Sequence, residues 1–585
     1  MTTETSDTSG DNSAEQSGPV APAPMRPLWL RLFGHDLSAP LFLLLVSLFL
    51  FVPGQWTVPP LDRDEPRFTQ ATKQMLETGN YIDIRFQDQA RYKKPVGIYW
   101  LQAAAANASG LGAEAPLWVY RLPSAIGATL CVLLTFWVAR AFMGPAGALV
   151  AALFVAMAII LGVEARLAKT DAVLFATILL AQGALARIWL KETVRRRWGL
   201  GFLFWTALAA GVLIKGPVAP MVVGFTVIGL MALKRQVAWF KGAVPLFGVL
   251  WFILLVSPWF ITIWLATDGA FFQEAIGKDL LGKVGQGQEG HGAPPLTHLA
   301  TMLGVFWPLP GFIFLTLATI WRERASRLVI FCVSWFVPSW IVFELVATKL
   351  PHYTMPLLPA LALPVAAALA DPERVRTGGV LRWIGAFLLA FPALGIAIGA
   401  FAGPAVLGDW PSPPGAVICV FGAILAIMAA RWLIMDVPMK AILPALGAAF
   451  CVAIGVWGFV GPALTAIWVS PRLVQAISDV PGCKPAHVVT SGFNEPSFIF
   501  LEGTATRIVS AGQAADFLAG SDEGTDTGCR IAVVESRQKE AFLKASAANG
   551  LVPQLVSRVD GLNINGGKRL DIGLYLPAHD DNERK

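Results

Sequence analysis

Carboxylates and lysines gather in the connections between the apolar segments of this chain, a combination suited to handling a phosphate. The run from Leu61 to Trp100 opens with Asp62, Asp64 and Glu65 and closes with Arg91, Lys93 and Lys94. A second connection holds Glu164, Arg166, Lys169 and Asp171, and a third is Lys215-Gly216-Pro217. A fourth carries Lys278, Asp279, Lys283 and His291, and a fifth carries Lys349, His352 and Tyr353. A lysine about 4 Å from a phosphate contributes roughly 4 kcal/mol per charge pair at an effective dielectric of about 20. Several lysines can therefore hold a phosphate and stabilise it as a leaving group, while a carboxylate deprotonates or orients an acceptor.

Each of these residues also has a plain structural reading. Asp64 stands two residues before Pro66, and Phe68, Ala71, Met75 and Leu76 have the spacing of a one-sided helix lying on a membrane, so Asp64 or Glu65 can act as a helix cap. Lys215 and Lys349 can snorkel from the ends of their spans, and Asp171 can cap the helix it begins. Gly285-Gln286-Gly287-Gln288-Glu289-Gly290 matches G-x-G-x-x-G, but no strand precedes it and no βαβ unit surrounds it. It reads instead as part of a loop able to close over a site.

The elements that must position these residues are membrane spans. The chain has 585 residues, 55% hydrophobic and only 14% charged, too little polar surface for a soluble globule. About thirteen apolar segments of spanning or near-spanning length are expected. Their cores are 40–53, 118–140, 146–163, 171–190, 199–214, 217–233, 244–266, 298–320, 328–347, 354–370, 381–402, 415–434 and 441–467. Residues 1–37 are read as a disordered cytoplasmic N-terminus without a cleavable signal peptide. Residues 38–470 form the membrane domain, with a first external loop over 54–117 and a flexible external loop over 267–297.

Charge sets the orientation. With the N-terminus in the cytoplasm, Arg140, Lys191 with Arg195 to Arg197, Lys234 with Arg235 and Lys241, Arg322 with Arg324 and Arg327, Arg374 with Arg376 and Arg382, and Arg431 with Lys440 all fall on the cytoplasmic side. The formal net charge of +6 follows from these loops, so no nucleic-acid partner is implied. Five connections then bring their carboxylates and cations to one external face. The tail, 471–585, is expected outside as a small α/β domain, with strands at 487–491, 507–510, 530–535 and 570–576 and helices at 512–518 and 538–548. The Asn565-Gly566-Gly567 turn suits a hairpin between the last two strands. An oxidising compartment would let its two cysteines, Cys483 and Cys529, form a disulfide. The other four, Cys131, Cys332, Cys419 and Cys451, lie in apolar spans and read as packing residues.

The ordered motifs DEPRF, KPVGIYW, TDA, the Lys-Gly after the fifth span and KLPHYTMPLLPAL, over about residues 40–370, resemble those of the bacterial aminoarabinose transferases that modify lipid A. Those enzymes are relatives of the protein O-mannosyltransferases, of the C-type (GT-C) membrane glycosyltransferase fold. The resemblance implies transfer of a sugar from a polyprenyl phosphate, undecaprenyl phosphate in bacteria, to a lipid A, glycan or protein acceptor at the periplasmic face of the inner membrane. It implies a catalytic role for Asp64, with Glu65 beside it and Asp171 as a second acidic position. Lys94, Lys215 and Tyr353 are implied at the donor phosphate, with Lys93 and Lys349 near it. Asp279, Lys283, His291 and His352 are further candidate contacts. Where the aminoarabinose transferases commonly have Glu before Lys-Pro, this chain has Lys93, which reverses a charge and removes a possible metal ligand. No cofactor and no metal site are therefore implied, and a monomer among membrane lipids is expected. The competing class is a transporter or flippase for a lipid-linked sugar; such proteins place their sites at broken helices near the midplane and often show internal repeats, whereas these motifs sit at span ends and no repeat is visible.

Overall fold

The computed structural model describes residues 27–61, 64–191, 197–282, 292–370, 375, 379–520, 528–564 and 566–578. The N-terminal stretch to residue 26, Asp62, Lys283, His291 and the 285–290 motif lie outside the described residues, as do Arg195, Arg196, Arg374 and Arg376 among the residues used for orientation.

Among the described residues, nine helices are long and apolar enough to cross a membrane. Three shorter apolar helices, Ser38–Phe51, Pro145–Met157 and Val218–Lys234, fill further predicted segments. The single span expected over 298–320 is instead two helices, Thr297–Val305 and Pro310–Arg322, that meet at 113°. Pro308 and Pro310 account for the break: neither supplies an N–H to extend the first helix, and Pro310 suits the first turn of the second. The chain is thus a polytopic helical membrane protein.

The most enclosed spans are Asp171–Trp189 and Pro351–Leu369, with 72% and 78% of their apolar windows buried, against 22% for Pro245–Thr267. Asp171 begins one of these central helices, and His352 and Tyr353 lie in the first turn of the other. The centre of the bundle therefore fixes their position.

The first connection contains the Asp64–Thr78 helix, a short hairpin of β1 (Arg85–Phe86) and β2 (Gln89–Ala90), and the Gly97–Ala108 helix. Asp64 and Glu65 in the first turn complement the positive end of the helix dipole, and Pro66 needs no N–H partner there. This helix buries Thr69, Gln70 and Thr72 as well as Phe68, Ala71 and Met75, so protein covers it on more than one side. The connection expected as a loop over 267–297 is helical over Ala270–Phe272 and continues as a π-helix over Gln273–Leu280.

Beyond the Val469–Ser478 helix, the tail forms a five-stranded sheet of β3 (Ala486–Ser491), β4 (Arg507–Ile508), β5 (Cys529–Glu535), β6 (Val552–Leu562) and β7 (Arg569–Ala578), in the order β4-β3-β5-β7-β6. β3 runs parallel to β4 and β5, while β7 is antiparallel to β5 and β6. The Ala511–Ala519 helix starts with a capping box between Ser510 and Gln513. The Ser536–Ala548 helix follows β5 directly. β6 lacks a clean inside-outside alternation and is mostly exposed or half-exposed, which leaves little periodicity to read. The hairpin before β7 turns around Gly566 and Gly567, and Asn565 lies outside the described residues. A disulfide joins Cys483 to Cys529, with Cα atoms 5.1 Å apart.

This domain grips the first connection. Gln70 Nε2 donates to Thr504 Oγ1 at 2.7 Å, and Thr504 Oγ1 donates to Glu77 Oε2 at 2.8 Å. Gln87, in the left-handed region at the hairpin turn with φ of 52°, donates from Nε2 to the carbonyls of Thr506 (2.5 Å) and Thr504 (3.2 Å). Phe500 meets Tyr120 edge to face at 5.6 Å.

Candidate active site

A cavity of about 300 Å³ opens where the five predicted connections meet. Asp64, Phe68, Arg91, Lys93 and Lys94 line it from the first, Lys169, Thr170 and Asp171 from the second, and Lys215 and Pro217 from the third. Asp279 comes from the fourth, and Thr348, Leu350, His352 and Tyr353 from the fifth. Leu174, Met221, Val342, Phe343 and Val346 complete an apolar wall. A polar end beside such a wall can hold a charged headgroup at one side and a hydrocarbon chain at the other.

Asp64 is half-exposed to this space, its side chain at 48% of full accessibility and its Oδ1 3.9 Å from Arg67. Its neighbour Glu65 has quite different surroundings. Glu65 is fully buried, accepts from Arg121 Nε at 2.7 Å and Nη2 at 2.9 Å, and also accepts the backbone N–H groups of Leu61 and Ala168. Arg121 in turn donates to the carbonyls of Gln55, Val58 and Pro59. This pair ties the end of the first span to the second connection. Glu65 does not line the cavity, so its placement is that of a staple holding Asp64 rather than a group meeting substrate.

The lysines are held by carboxylates. Lys94 Nζ lies 2.8 Å from Asp279 and donates to the Lys93 carbonyl, joining the first connection to the π-helix. Lys215 Nζ lies 2.5 Å from Asp171 and 5.3 Å from the centre of the Tyr353 ring. His352 stands between Asp171 and Glu164, each 3.8 Å away, and Glu164 is 3.2 Å from Lys169. Lys349 is placed otherwise: its Nζ donates to the Glu344 and Val346 carbonyls at 2.7 and 2.6 Å, capping the Arg327–Leu345 helix, and it does not line the cavity.

Of the residues predicted from sequence, Asp64, Asp171, Lys93, Lys94, Lys215, Tyr353, Asp279 and His352 come together in one cavity. Glu65 and Lys349 do not, and Lys283 and His291 are outside the described residues. From sequence, Arg91 and Lys169 are counted among the cations of their connections without an individual role, and Arg121 is not singled out. Arg91 and Lys169 line the cavity, Arg91 standing just before the turn, after β2, that carries Lys93. Burial and a hydrogen bond to Asp83 push the Tyr92 phenol between them up to about 12, leaving it a neutral donor to that carboxylate.

The sequence matches the family model described as dolichyl-phosphate-mannose-protein mannosyltransferase over residues 93–264. An undecaprenyl phosphate-alpha-4-amino-4-deoxy-L-arabinose arabinosyl transferase of Pseudomonas aeruginosa (strain UCBPP-PA14) is 27% identical over 402 residues, covering 67% of this chain and 71% of its own length. The crystal structure of ArnT from Cupriavidus metallidurans bound to undecaprenyl phosphate superposes with a TM-score of 0.69 at 18% identity, over 93% of this chain and 98% of that one. Its apo form gives a TM-score of 0.66 at 17% identity, over 93% and 97%. The chain therefore has the C-type membrane glycosyltransferase fold, and its sequence and architecture are both similar to those of the bacterial aminoarabinose transferases.

Proposed function

We propose that this chain is an integral membrane glycosyltransferase that moves a sugar from an undecaprenyl-phosphate donor to a lipid, glycan or protein acceptor at the periplasmic face of the inner membrane. The observation that carries this reading is the convergence of Asp64, Lys94, Lys215 and Tyr353, from three separate connections, on one cavity with an apolar wall. Lys94 and Lys215 hold the donor phosphate, with Tyr353 packed against the Lys215 ammonium. The acceptor oxygen forms a bond to the anomeric carbon while the bond from that carbon to the phosphate oxygen breaks. Undecaprenyl phosphate leaves with the electron pair, its charge stabilised by the lysines. With a hydroxyl acceptor, Asp64 takes the proton; with a phosphate acceptor, already ionised at neutral pH, Asp64 orients it.

The predicted topology puts the N-terminus in the cytoplasm and the sheet domain outside, and the Cys483–Cys529 disulfide supports an oxidising surrounding for that domain. Asp171 holds Lys215 in place, and Asp279 does the same for Lys94. The experiment is a vesicle assay with purified full-length protein, a membrane extract as acceptor and a radiolabelled undecaprenyl-phosphate sugar. A transferase liberates undecaprenyl phosphate and labels the extract. Movement of intact donor across the bilayer with no liberated carrier would establish the transporter reading instead.

A further inference from the structure

The transfer just described uses Asp64, Lys94, Lys215 and Tyr353 and leaves His352 idle, although His352 lines the same cavity. Its imidazole lies between two carboxylates. Nε2 is 3.8 Å from Asp171 Oδ1, the same oxygen that Lys215 Nζ approaches to 2.5 Å, so a phosphate held by Lys215 comes within reach of the ring. Nδ1 is 3.8 Å from Glu164 Oε1. Tyr353, the other side chain proposed at this end of the phosphate, meets the ring edge to face at 5.0 Å.

Glu164 is 1% exposed and stands behind the cavity wall. Its Oε1 lies 3.2 Å from Lys169, while its Oε2 is buried with no hydrogen-bond partner among the described residues. Such an oxygen is costly to bury and offers acceptor capacity next to a ring that can become a cation. The 3.8 Å separations are longer than hydrogen bonds, as catalytic contacts often are before substrate arrives. A small turn of the ring closes Nδ1–H on Glu164 and leaves Nε2 facing the cavity. Besides Glu164 and Asp171, the titratable and charged groups around the ring among the described residues are Lys169, Lys215, His298 and Tyr353. Glu344, on the neighbouring Arg327–Leu345 helix, accepts the Leu299 N–H at 3.0 Å.

Breaking the bond from the anomeric carbon to the phosphate oxygen turns a phosphodiester with one negative charge into a monoester that would carry two. A proton delivered to that oxygen as the bond breaks keeps the departing group at one charge. We propose that His352 is the general acid of the transfer: Nε2 of its imidazolium gives a proton to the departing phosphate oxygen, with Glu164 as the positioning residue behind the ring. The electron pair of the broken bond goes to that oxygen. The proton of a hydroxyl acceptor goes to Asp64, and the neutral imidazole regains a proton from water before the next turnover. The inference rests on the glycosyltransferase reading and adds to it the group that assists departure.

The test is the pH dependence of single-turnover release by the full-length protein in lipid nanodiscs. The probe is the pool of undecaprenyl-phosphate sugars extracted from cells grown in radioactive phosphate, with a membrane extract as acceptor and labelled undecaprenyl phosphate as the readout. The unaltered protein is expected to show a level rate at mildly acidic pH that falls by about tenfold per pH unit above one ionisation, since only the protonated ring can donate. His352→Gln and His352→Asn, neither of which titrates, should be about 100-fold slower on the level part and lack the fall. Both should bind bare undecaprenyl phosphate as the unaltered protein does, by native mass spectrometry. Glu164→Gln should keep the fall but start it at lower pH, because loss of the carboxylate makes the imidazolium easier to deprotonate. A fall that persists in both His352 variants, or an undiminished rate, overturns the proposal and leaves the transferase reading standing. So does a loss of undecaprenyl phosphate binding in step with the rate, which marks a structural role. An unmoved fall in Glu164→Gln overturns the part given to Glu164. No release by the unaltered protein at any pH overturns the transferase reading itself, and this inference with it.

Discussion

Asp64 and Glu65 are adjacent carboxylates with opposite surroundings, and substitution should separate them. Asp64→Asn is expected to lower turnover by about 10²–10⁴-fold with a hydroxyl acceptor while donor binding and thermal unfolding stay near those of the unaltered protein. Turnover at the original rate in folded, inserted protein would remove Asp64 from the chemistry. Glu65→Ala leaves Arg121 buried without its carboxylate, and breaking a buried pair costs about 3–5 kcal/mol. A loss of inserted protein, with the melting temperature lowered, is the expected result, and an unaltered melting curve would contradict the staple. Lys94 and Lys349 divide the same way, one in the cavity and one on helix carbonyls. Sequence cannot separate such twins, because residue type and motif are the same for a side chain pointing into a cavity and for one turned to a neighbouring backbone. Partner geometry decides between them, and those partners lie far away: Glu65 and Arg121 are 56 residues apart.

At the scale of elements, the turn around Thr504 touches both arms of the first connection. It holds the helix that begins with Asp64 through Gln70 and Glu77, and the hairpin that leads to Arg91, Lys93 and Lys94 through Gln87. Thr504→Val removes the hydroxyl at the junction of these contacts. Transfer rate is expected to fall by about tenfold with donor affinity unchanged, since small shifts of reacting groups cost rate more than binding. Thr504→Ser should restore it; a parallel fall in affinity, or no rescue by serine, would argue for simple destabilisation. Helices and strands themselves were legible. The apolar runs carry their own local physics, and the tail's strands sit within two residues of their predicted places except β6, which was given no bounds. The break at 306–309 was missed because two prolines still leave the run apolar enough to read as one span, although they remove ladder donors.

At the scale of the molecule, the membrane bundle and the sheet domain meet through hydrogen bonds at Thr504 and Thr506 and through an apolar cluster around Phe500 and Tyr120. The Cys483–Cys529 disulfide, spanning 46 residues, braces the sheet domain. Cys483→Ser with Cys529→Ser is expected to cost about 2–4 kcal/mol in that domain, read as an earlier first unfolding transition that added reductant no longer moves. An identical transition in both proteins would mean the bond contributes nothing to the fold. The convergence of connections was legible from the distribution of Lys and Arg, because charge bias fixes which ends share a face. The identity of the carboxylate facing each lysine was not, because it depends on how the helices pack.

The contact between Gln70 and Thr504 joins residues 434 positions apart. A ribosome therefore completes the membrane bundle long before the turn that grips the Asp64 helix has been made. Assembly thus has a built-in order: insertion first, a finished site last. A chain stopped after residue 480 is expected to insert and to retain undecaprenyl phosphate, yet to transfer slowly. The sheet domain is then the last part to be made, and a transfer rate equal to that of the whole chain in the shortened one would show that its grip on the Asp64 helix adds nothing to the site.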